Sequence, residues 1–175
     1  MHVLFVCTGN ICRSPIAERL SKAYAARLGI NDFTASSAGT RAVIGHGIHH
    51  DAEFALQNLG GEASNFTARQ LKPKVAAAAD LVLTMTRSHR DMVLELAPRQ
   101  LHRTFTLVEA ACLILELNPQ NLIELAAFRS YLDGQDGLDI PDPIGRSREF
   151  FALVGKQIAE LLPPVIEFCR SGAVG

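Results

Sequence analysis

A short apolar run followed by a polar loop constrains this chain more than any other feature. Residues 3–6 read VLFV, residues 7–13 read CTGNICR, and Ser14 and Pro15 open a helical pattern that ends at Gly29. A continuous apolar run of this length is typical of a strand buried on both faces of a parallel sheet. Ser14 is a favourable helix cap, and Pro15 fits a first helical turn. We therefore expect a strand–loop–helix unit here, capped by Ser14.

The rest of the chain alternates the same two patterns. We expect strands at 33–37, 80–85 and 103–106, and helices at 51–59, 68–79, 87–96, 107–117, 122–132 and 147–169, the last perturbed by Pro163 and Pro164. Strands that alternate with helices predict an α/β fold with a mostly parallel sheet. A chain of 175 residues without a linker or a repeat fits one domain.

Composition excludes several classes of protein. Lys and Arg number 17 against 18 Asp and Glu, so the net charge of −1 offers no basic footprint for nucleic acid. Charged residues, Gly or Pro interrupt every apolar stretch before it reaches the length of a membrane span, and no signal peptide is apparent. Four cysteines are too sparse for a disulfide scaffold. We expect a cytoplasmic protein with free thiols and no membrane association.

The loop at 7–13 is suited to binding a tetrahedral oxyanion. A loop between a strand and a helix N-terminus can direct several backbone N–H groups at one point. Gly9 and Asn10 tolerate the left-handed conformations that such a loop requires. Arg13 can bind two anion oxygens at once, and the same positive field favours the thiolate of Cys7. The pattern indicates thiolate attack on a bound phosphorus.

Other interpretations of these residues are weaker. The loop lacks the Gly-Lys-Ser/Thr of a Walker loop and the G-x-G-x-x-G of a dinucleotide fold. Cys7 and Cys12 could be half of a zinc site, but no second pair has a matching spacing, and a purely structural cysteine is also open. His46, His49 and His50 with Asp51 form the main histidine cluster; we expect no metal there and no cofactor elsewhere.

Residues 7–15, CTGNICRSP, resemble the phosphate-binding loop of low-molecular-weight protein tyrosine phosphatases. Further similarity lies at 37–40 (SAGT), 68–71 (ARQL), 80–85 (DLVLTM) and 142–143 (DP), so it covers nearly the whole chain except about 107–139. The resemblance implies a three-layer α/β fold whose four-stranded parallel sheet is flanked by helices on both faces. It also implies one phosphatase domain over 1–175, with a divergent or inserted helical segment at about 107–139.

The resemblance also implies roles for individual residues. Cys7 would be the nucleophile and Arg13 the clamp on the transition state. Phosphate would bind to the loop residues Thr8, Gly9, Asn10, Ile11, Cys12, Arg13 and Ser14. In the family, Asn10 holds the loop geometry, Ser14 stabilises the thiolate and Ser37 supports Asn10 by a hydrogen bond. From the residues alone, Asn10 could equally be a turn residue and Ser14 only a cap.

Asp142 matches the general acid of the family. The phenolate leaving group is a weak acid of pKa ~10, so a proton donor assists its departure. Pro143 would restrict the loop that carries the carboxylate. A surface Asp-Pro turn is the simpler interpretation, and Asp139 is a weaker substitute acid. Cys12 would form a reversible disulfide with Cys7 in the family, although it could be only a small loop residue.

Four positions depart from the family pattern. Ile144 and Gly145 follow Asp-Pro where many members carry aromatic residues that wall the substrate ring. An aliphatic wall lacks aromatic stacking, which contributes ~0.5–1.5 kcal/mol. Phe66 replaces a network histidine of eukaryotic members, and Thr86 replaces an aspartate. These departures leave the chemistry unchanged and affect ring affinity and substrate preference.

The sequence thus predicts a phosphatase that hydrolyses phosphotyrosine in proteins. Its partner would be a phosphotyrosine-containing protein, such as a tyrosine kinase, and it would be a monomer or weak dimer that binds no nucleic acid. A protein arginine phosphatase is the first alternative; such members tend to carry Thr at the position of Ile11, where a branched apolar residue favours a flat ring. A thiol-coupled arsenate reductase of the same fold and a module that only binds phosphorylated partners are further alternatives.

Overall fold

Four parallel strands form the central sheet of the computed structural model, which describes residues 1–170. The strands are β1 His2–Cys7, β2 Thr34–Gly39, β3 Leu81–Thr84 and β4 Thr104–Thr106, in the order β2-β1-β3-β4. The helices are α1 Arg13–Arg27, α2 His50–Asn58, α3 Pro73–Ala77, α4 Arg87–Leu96, α5 Leu107–Leu117, α6 Leu122–Ala127 and α7 Arg148–Arg170, with 3-10 helices at Pro98–Arg103 and Phe128–Leu132. The predicted α/β class with a four-stranded parallel sheet is confirmed.

Helices cover both faces of this sheet. Successive residues of a strand point to opposite sides, so each strand contributes side chains to both cores. Val3 and Phe5 of β1 face the larger core, which is shared with α1, α2, α5 and α7. Leu4 and Val6 face the smaller core, to which α3 and α4 contribute Ala76 and Val93. All four β1 side chains are fully buried. The predicted three layers are therefore present.

The expected helix at 68–79 is wrong over its first half. Only Pro73–Ala77 are helical, and Lys72 is extended, since a residue that precedes proline avoids the helical region. The chain before it is held in extended contact with the end of β2. Gly39 N donates to Arg69 O at 2.9 Å, and Leu71 N donates to Gly39 O at 2.8 Å.

The C-terminal helix continues through both of its prolines. Pro163 and Pro164 lie inside α7, and the helix is not interrupted there but reaches Arg170. Ile158 and Ile166, one on each side of the prolines, are fully buried in the larger core. Their packing offsets the backbone hydrogen bonds that two prolines remove. Residues 171–175 of the predicted domain lie outside the described residues.

The segment at 107–139 begins directly at the end of β4. Thr106 and Glu109 form a reciprocal capping box at the start of α5, with bonds of 3.0 Å and 2.7 Å. α5 packs on α7, and Leu107, Leu113 and Leu125 are fully buried. The segment therefore contributes to the core. None of the helices among residues 1–170 combines the length and the apolar character that crossing a membrane requires.

Candidate active site

The carboxyl ends of the strands place the candidate site at one edge of the sheet. β1 ends at Cys7, and α1 begins at Arg13 directly after the intervening loop. Asn10 has a φ of 55°, the left-handed conformation expected at this turn. No side chain of the described residues caps the start of α1. The N–H groups of the first turn are thus available at the positive end of the helix.

Ser14 has a different role from the predicted cap. The residue before α1 is Cys12, and Ser14 lies one position inside the helix. Its Oγ is 3.0 Å from the buried Cys7 Sγ and accepts a hydrogen bond from Asn10 Nδ2 at 2.9 Å. Because the amide donates to Ser14 Oγ, the hydroxyl keeps its own proton to donate, and the Cys7 sulfur lies within its reach. The contact joins Ser14 to the predicted nucleophile.

Asn10 joins the loop to the neighbouring β2 through hydrogen bonds made by both polar atoms of its side chain. Its Nδ2 also donates to Ser37 Oγ at 2.9 Å, and its Oδ1 accepts from Arg69 N at 2.9 Å. Ser37 in turn donates to the buried carboxylate of Glu18 at 2.7 Å. Asn10 is completely buried, so these bonds replace water and fix the loop in one conformation.

Arg13 is buried across the base of the site. Its Nη1 donates to Ile140 O at 3.0 Å and its Nη2 to Asp142 Oδ2 at 2.7 Å. Its Nε is buried without a partner among the described residues. The side chain is only 4% exposed. A buried guanidinium with one uncommitted donor is suited to binding an anion in the adjacent loop.

Asp142 reaches the site from the loop between the 3-10 helix Phe128–Leu132 and α7. Ile140 N donates to Met85 O at 2.8 Å, which ties this loop to the end of β3, and Pro141 and Pro143 flank the aspartate. Asp142 Oδ1 accepts from Ile144 N at 3.1 Å, and the side chain is 48% exposed. Asp139 is engaged elsewhere, because its Oδ1 accepts from Arg87 N at 2.7 Å.

A cavity of about 250 Å³ brings the predicted groups together. It is lined by Cys7, Thr8, Gly9, Ile11, Cys12, Arg13, Arg41, Val43, Asp142 and Ile144. The lining includes the three aliphatic side chains of Ile11, Val43 and Ile144. Asn10, Ser14 and Ser37 lie behind the loop in the hydrogen-bond network, outside this lining.

His89 is a buried residue of the site that the sequence analysis missed. It lies in a second cavity that shares Thr8, Arg13 and Asp142 with the first. Its Nε2 is 2.8 Å from Thr8 Oγ1 and its Nδ1 is 2.9 Å from Thr86 Oγ1. Burial, with the charge of Arg13, lowers the pKa of His89 to about 4, so the ring is neutral at pH 7. Glu18 and Arg69 were also missed.

Two other sequence hypotheses concern cysteine and histidine. Burial, followed by the proximity of Cys7, raises the pKa of the Cys12 thiol, so Cys12 is protonated at neutral pH.

His49, His50 and Asp51 place their donor atoms within 4.8 Å of one another. The Asp51 carboxylate is already paired with Arg148 at 2.9 Å and lies 3.1 Å from His50 Nε2. The Arg148 guanidinium therefore neutralises the Asp51 carboxylate that a metal ion would need as a ligand.

Residues 2–111 match the family model described as low molecular weight phosphotyrosine protein phosphatase. The chain belongs to this family. The matched residues include the loop but not Asp142, which follows them in sequence. The family is one of hydrolases, and its loop is the element that the sequence analysis had identified.

Individual relatives carry two different specificities in their names. The protein-arginine-phosphatase of Bacillus subtilis is 31% identical over 93% of this chain and 92% of its own length. The crystal structure of a low molecular weight protein tyrosine phosphatase from T. tengcongensis is 32% identical, covers 95% of this chain and 98% of that one, and has a TM-score of 0.76. A YwlE arginine phosphatase C7S mutant with a phosphorylated active-site serine is 30% identical, with coverages of 95% and 94% and a TM-score of 0.75. Overall similarity in sequence and structure therefore does not decide between phosphotyrosine and phosphoarginine as the substrate.

Proposed function

We propose that this member of the family hydrolyses phosphotyrosine in proteins through a cysteinyl-phosphate intermediate. The observation that carries the proposal is the convergence of the Cys7 thiol, the loop, the Arg13 guanidinium and the Asp142 carboxylate in one cavity. This combination supplies a nucleophile, an anion clamp and a proton donor for one reaction.

In the first step, the Cys7 thiolate attacks phosphorus and the bond between phosphorus and the tyrosine oxygen breaks. The Ser14 hydroxyl, 3.0 Å from the Cys7 sulfur, can donate a hydrogen bond to it. The loop N–H groups of residues 8–13 and the Arg13 guanidinium bind the equatorial oxygens as charge redistributes. The protonated Asp142 carboxyl donates its proton to the leaving phenolate oxygen.

In the second step, water attacks the thiophosphate and the bond between sulfur and phosphorus breaks. The Asp142 carboxylate accepts a proton from this water, inorganic phosphate leaves, and the Cys7 thiolate is restored. Each step is assigned to a side chain or a backbone group of this chain. The phosphorylated active-site serine in the C7S relative supports a covalent intermediate on the residue at this position.

The aliphatic cavity wall favours an aromatic ring over a guanidinium. Ile11, Val43 and Ile144 offer apolar surface, which stabilises a bound phenyl ring. A phosphoarginine guanidinium needs polar partners when it leaves water, and these side chains supply none. Asp142 is the one carboxylate in the lining and already binds Arg13. The names of two relatives make a protein arginine phosphatase the second candidate.

Kinetics on matched substrates test the proposal. We expect the wild type to hydrolyse a phosphotyrosine peptide with a higher kcat/KM than the same peptide carrying phosphoarginine, and to show no thiol-dependent reduction of arsenate. Faster phosphoarginine turnover would favour the second candidate. Ile11→Thr, which replaces apolar wall by a hydroxyl, is expected to lower the preference for phosphotyrosine.

We extend the proposal to the setting of the reaction. The enzyme acts in the cytoplasm as a monomer or weak dimer, on phosphotyrosine-containing proteins that include a tyrosine kinase. Its catalytic residues are Cys7, Arg13 and Asp142. We assign residues 1–175 to one phosphatase domain, in which 107–139 is a divergent helical segment.

A further inference from the structure

Arg41 is an exposed cation in the wall of the active-site cavity that the proposed mechanism does not use. It lines the same cavity as Cys7 and Asp142. Within residues 1–170, its side chain makes no ion pair or hydrogen bond, whereas Arg13 and Arg148 bind carboxylates. An uncommitted guanidinium beside a substrate cavity is available to a group of the substrate.

The backbone that carries Arg41 is fixed to the phosphate loop. Thr40 N donates to Cys7 O, Arg41 N to Thr8 O and Val43 N to Gly9 O, each at 2.9 Å. The N–H of Ala42 is bound by the Gln70 side chain at 3.0 Å. The position of the Arg41 Cα relative to a bound phosphate is therefore preorganised, and only the side chain needs to adjust.

The charge of Arg41 acts within the site. It is one of the causes that lower the pKa of His89, after burial and Arg13. The proposed mechanism assigns the phosphoryl group to the loop and to Arg13, whose side chain is buried, whereas Arg41 is exposed. The guanidinium of Arg41 is thus placed to meet the part of a protein substrate that surrounds the phosphorylated residue.

We propose that Arg41 determines specificity by binding a carboxylate next to the phosphotyrosine of the substrate. The inference rests on the proposed function and identifies the substrate class as acidic phosphotyrosine segments. A carboxylate is the partner that pairs bidentately with a guanidinium, and Asp142, which faces the same cavity, is taken by Arg13. An exposed pair of this kind contributes selectivity rather than high affinity.

Matched peptides test this role. Pairs of phosphotyrosine peptides would carry Glu or Gln at each neighbouring position in turn, and the ratio of kcat/KM within each pair would be measured for the wild type, Arg41→Gln and Arg41→Lys. We expect at least one Glu peptide to be preferred about two- to fivefold by the wild type at low ionic strength. The ratio should approach one in Arg41→Gln and in high salt, and should persist in part in Arg41→Lys.

Arg99→Gln is the matched control for the loss of one positive charge. Arg99 is exposed in the 3-10 helix that precedes β4. β4 and β2, the strand that precedes Arg41, are the two outer strands of the sheet. Arg99→Gln should therefore keep the wild-type ratio. Equal ratios for the wild type in every pair would overturn the inference. So would equal losses on both members of a pair in Arg41→Gln, which would mean that Arg41 acts on the phosphoryl group.

Binding separates this inference from the proposed function. The same peptide pairs would be titrated against Cys7→Ser by calorimetry, where turnover is not needed. A Glu preference in Kd without phosphotyrosine turnover by the wild type would support Arg41 and contradict the proposed function. Turnover without any Glu preference in Kd or kcat/KM would contradict Arg41 alone.

Discussion

The guanidinium of Arg13 donates to the carboxylate of Asp142 at 2.7 Å, so the proposed phosphate clamp and the proposed general acid are paired before substrate binds. The pair joins the first helical turn to a loop 129 residues later in the chain. A phosphate dianion competes with Asp142 for the same guanidinium. Binding of phosphate would then release the Asp142 carboxyl group from Arg13.

The Asp142→Asn variant tests proton transfer by Asp142 separately from its pairing with Arg13. The amide oxygen can still accept from Arg13, but the side chain has no acidic proton. We expect kcat/KM, which reports the first step, to fall by about 10²–10⁴-fold for phenyl phosphate, whose phenolate is a poor leaving group. For an aryl phosphate whose phenol is strongly acidic, the loss should be far smaller. Equal losses on both substrates in steady-state assays would contradict the assignment of Asp142 as the acid.

Gly39 is required where β2 passes the phosphate loop. A Cβ at this position would lie 2.5 Å from Thr8 O and 3.0 Å from the Ala42 Cα. Gly39→Ala therefore forces two backbone segments apart, with an expected loss of about 1–3 kcal/mol in the free energy of unfolding and weaker phosphate binding. Gly47→Ala is the control, because a Cβ there meets nothing within 4 Å. Urea unfolding and phosphate titration of both variants measure the difference.

Asn10 combines an unusual backbone with three side-chain hydrogen bonds. Its φ of 55° suits glycine but strains alanine. Asn10→Gly and Asn10→Ala lose the same bonds to Ser14, Ser37 and Arg69, so both should lower activity. Only the alanine adds the left-handed strain, and we expect it to be less stable than the glycine variant by about 1–2 kcal/mol. Identical unfolding curves would show that the loop has relaxed to another conformation.

His89 makes the stability of the protein depend on pH. Its pKa is lowered from 6.5 to about 4, first by burial, so the unfolded chain binds the proton more readily. Its contribution to stability is present above pH 6.5 and is lost as the pH falls towards 4, by up to about 1.4 kcal/mol per pH unit. Chemical unfolding at a series of pH values should show a smaller slope in His89→Gln. An unchanged slope would contradict this role of His89.

Local sequence was sufficient to predict the strand–loop–helix unit at 3–29 and the α/β class with a mostly parallel sheet. Three local signals predict this unit: the apolar run at 3–6, the Gly-Asn turn and Pro15. The strand, the loop and the start of the helix that they predict are all present. The alternation of strands and helices predicted the parallel sheet for the same reason. The boundaries of α4 and α5 also follow from local periodicity.

Contacts between distant segments explain what the sequence could not predict. His89 meets Thr8 across 81 residues, and nothing near either residue indicates the contact. The helix expected from residue 68 onwards gives way to extended chain, because Arg69 binds Asn10 and β2 instead. Ser14 has the local pattern of a cap, and its contact with Cys7 was predicted only through the family resemblance, because only the folded loop brings its hydroxyl to the sulfur.

Trapping the covalent intermediate tests the central claim most directly. Wild-type enzyme and Asp142→Asn would be mixed with an activated aryl phosphate, quenched within milliseconds and digested for mass spectrometry, with Cys7→Ser assayed for turnover and phosphate binding in parallel. We predict a phosphoryl group on the peptide that contains Cys7, at a stoichiometry that approaches one in Asp142→Asn. Cys7→Ser should bind phosphate without hydrolysing the substrate. A phosphoryl group on another residue, or full turnover by Cys7→Ser, would contradict the account.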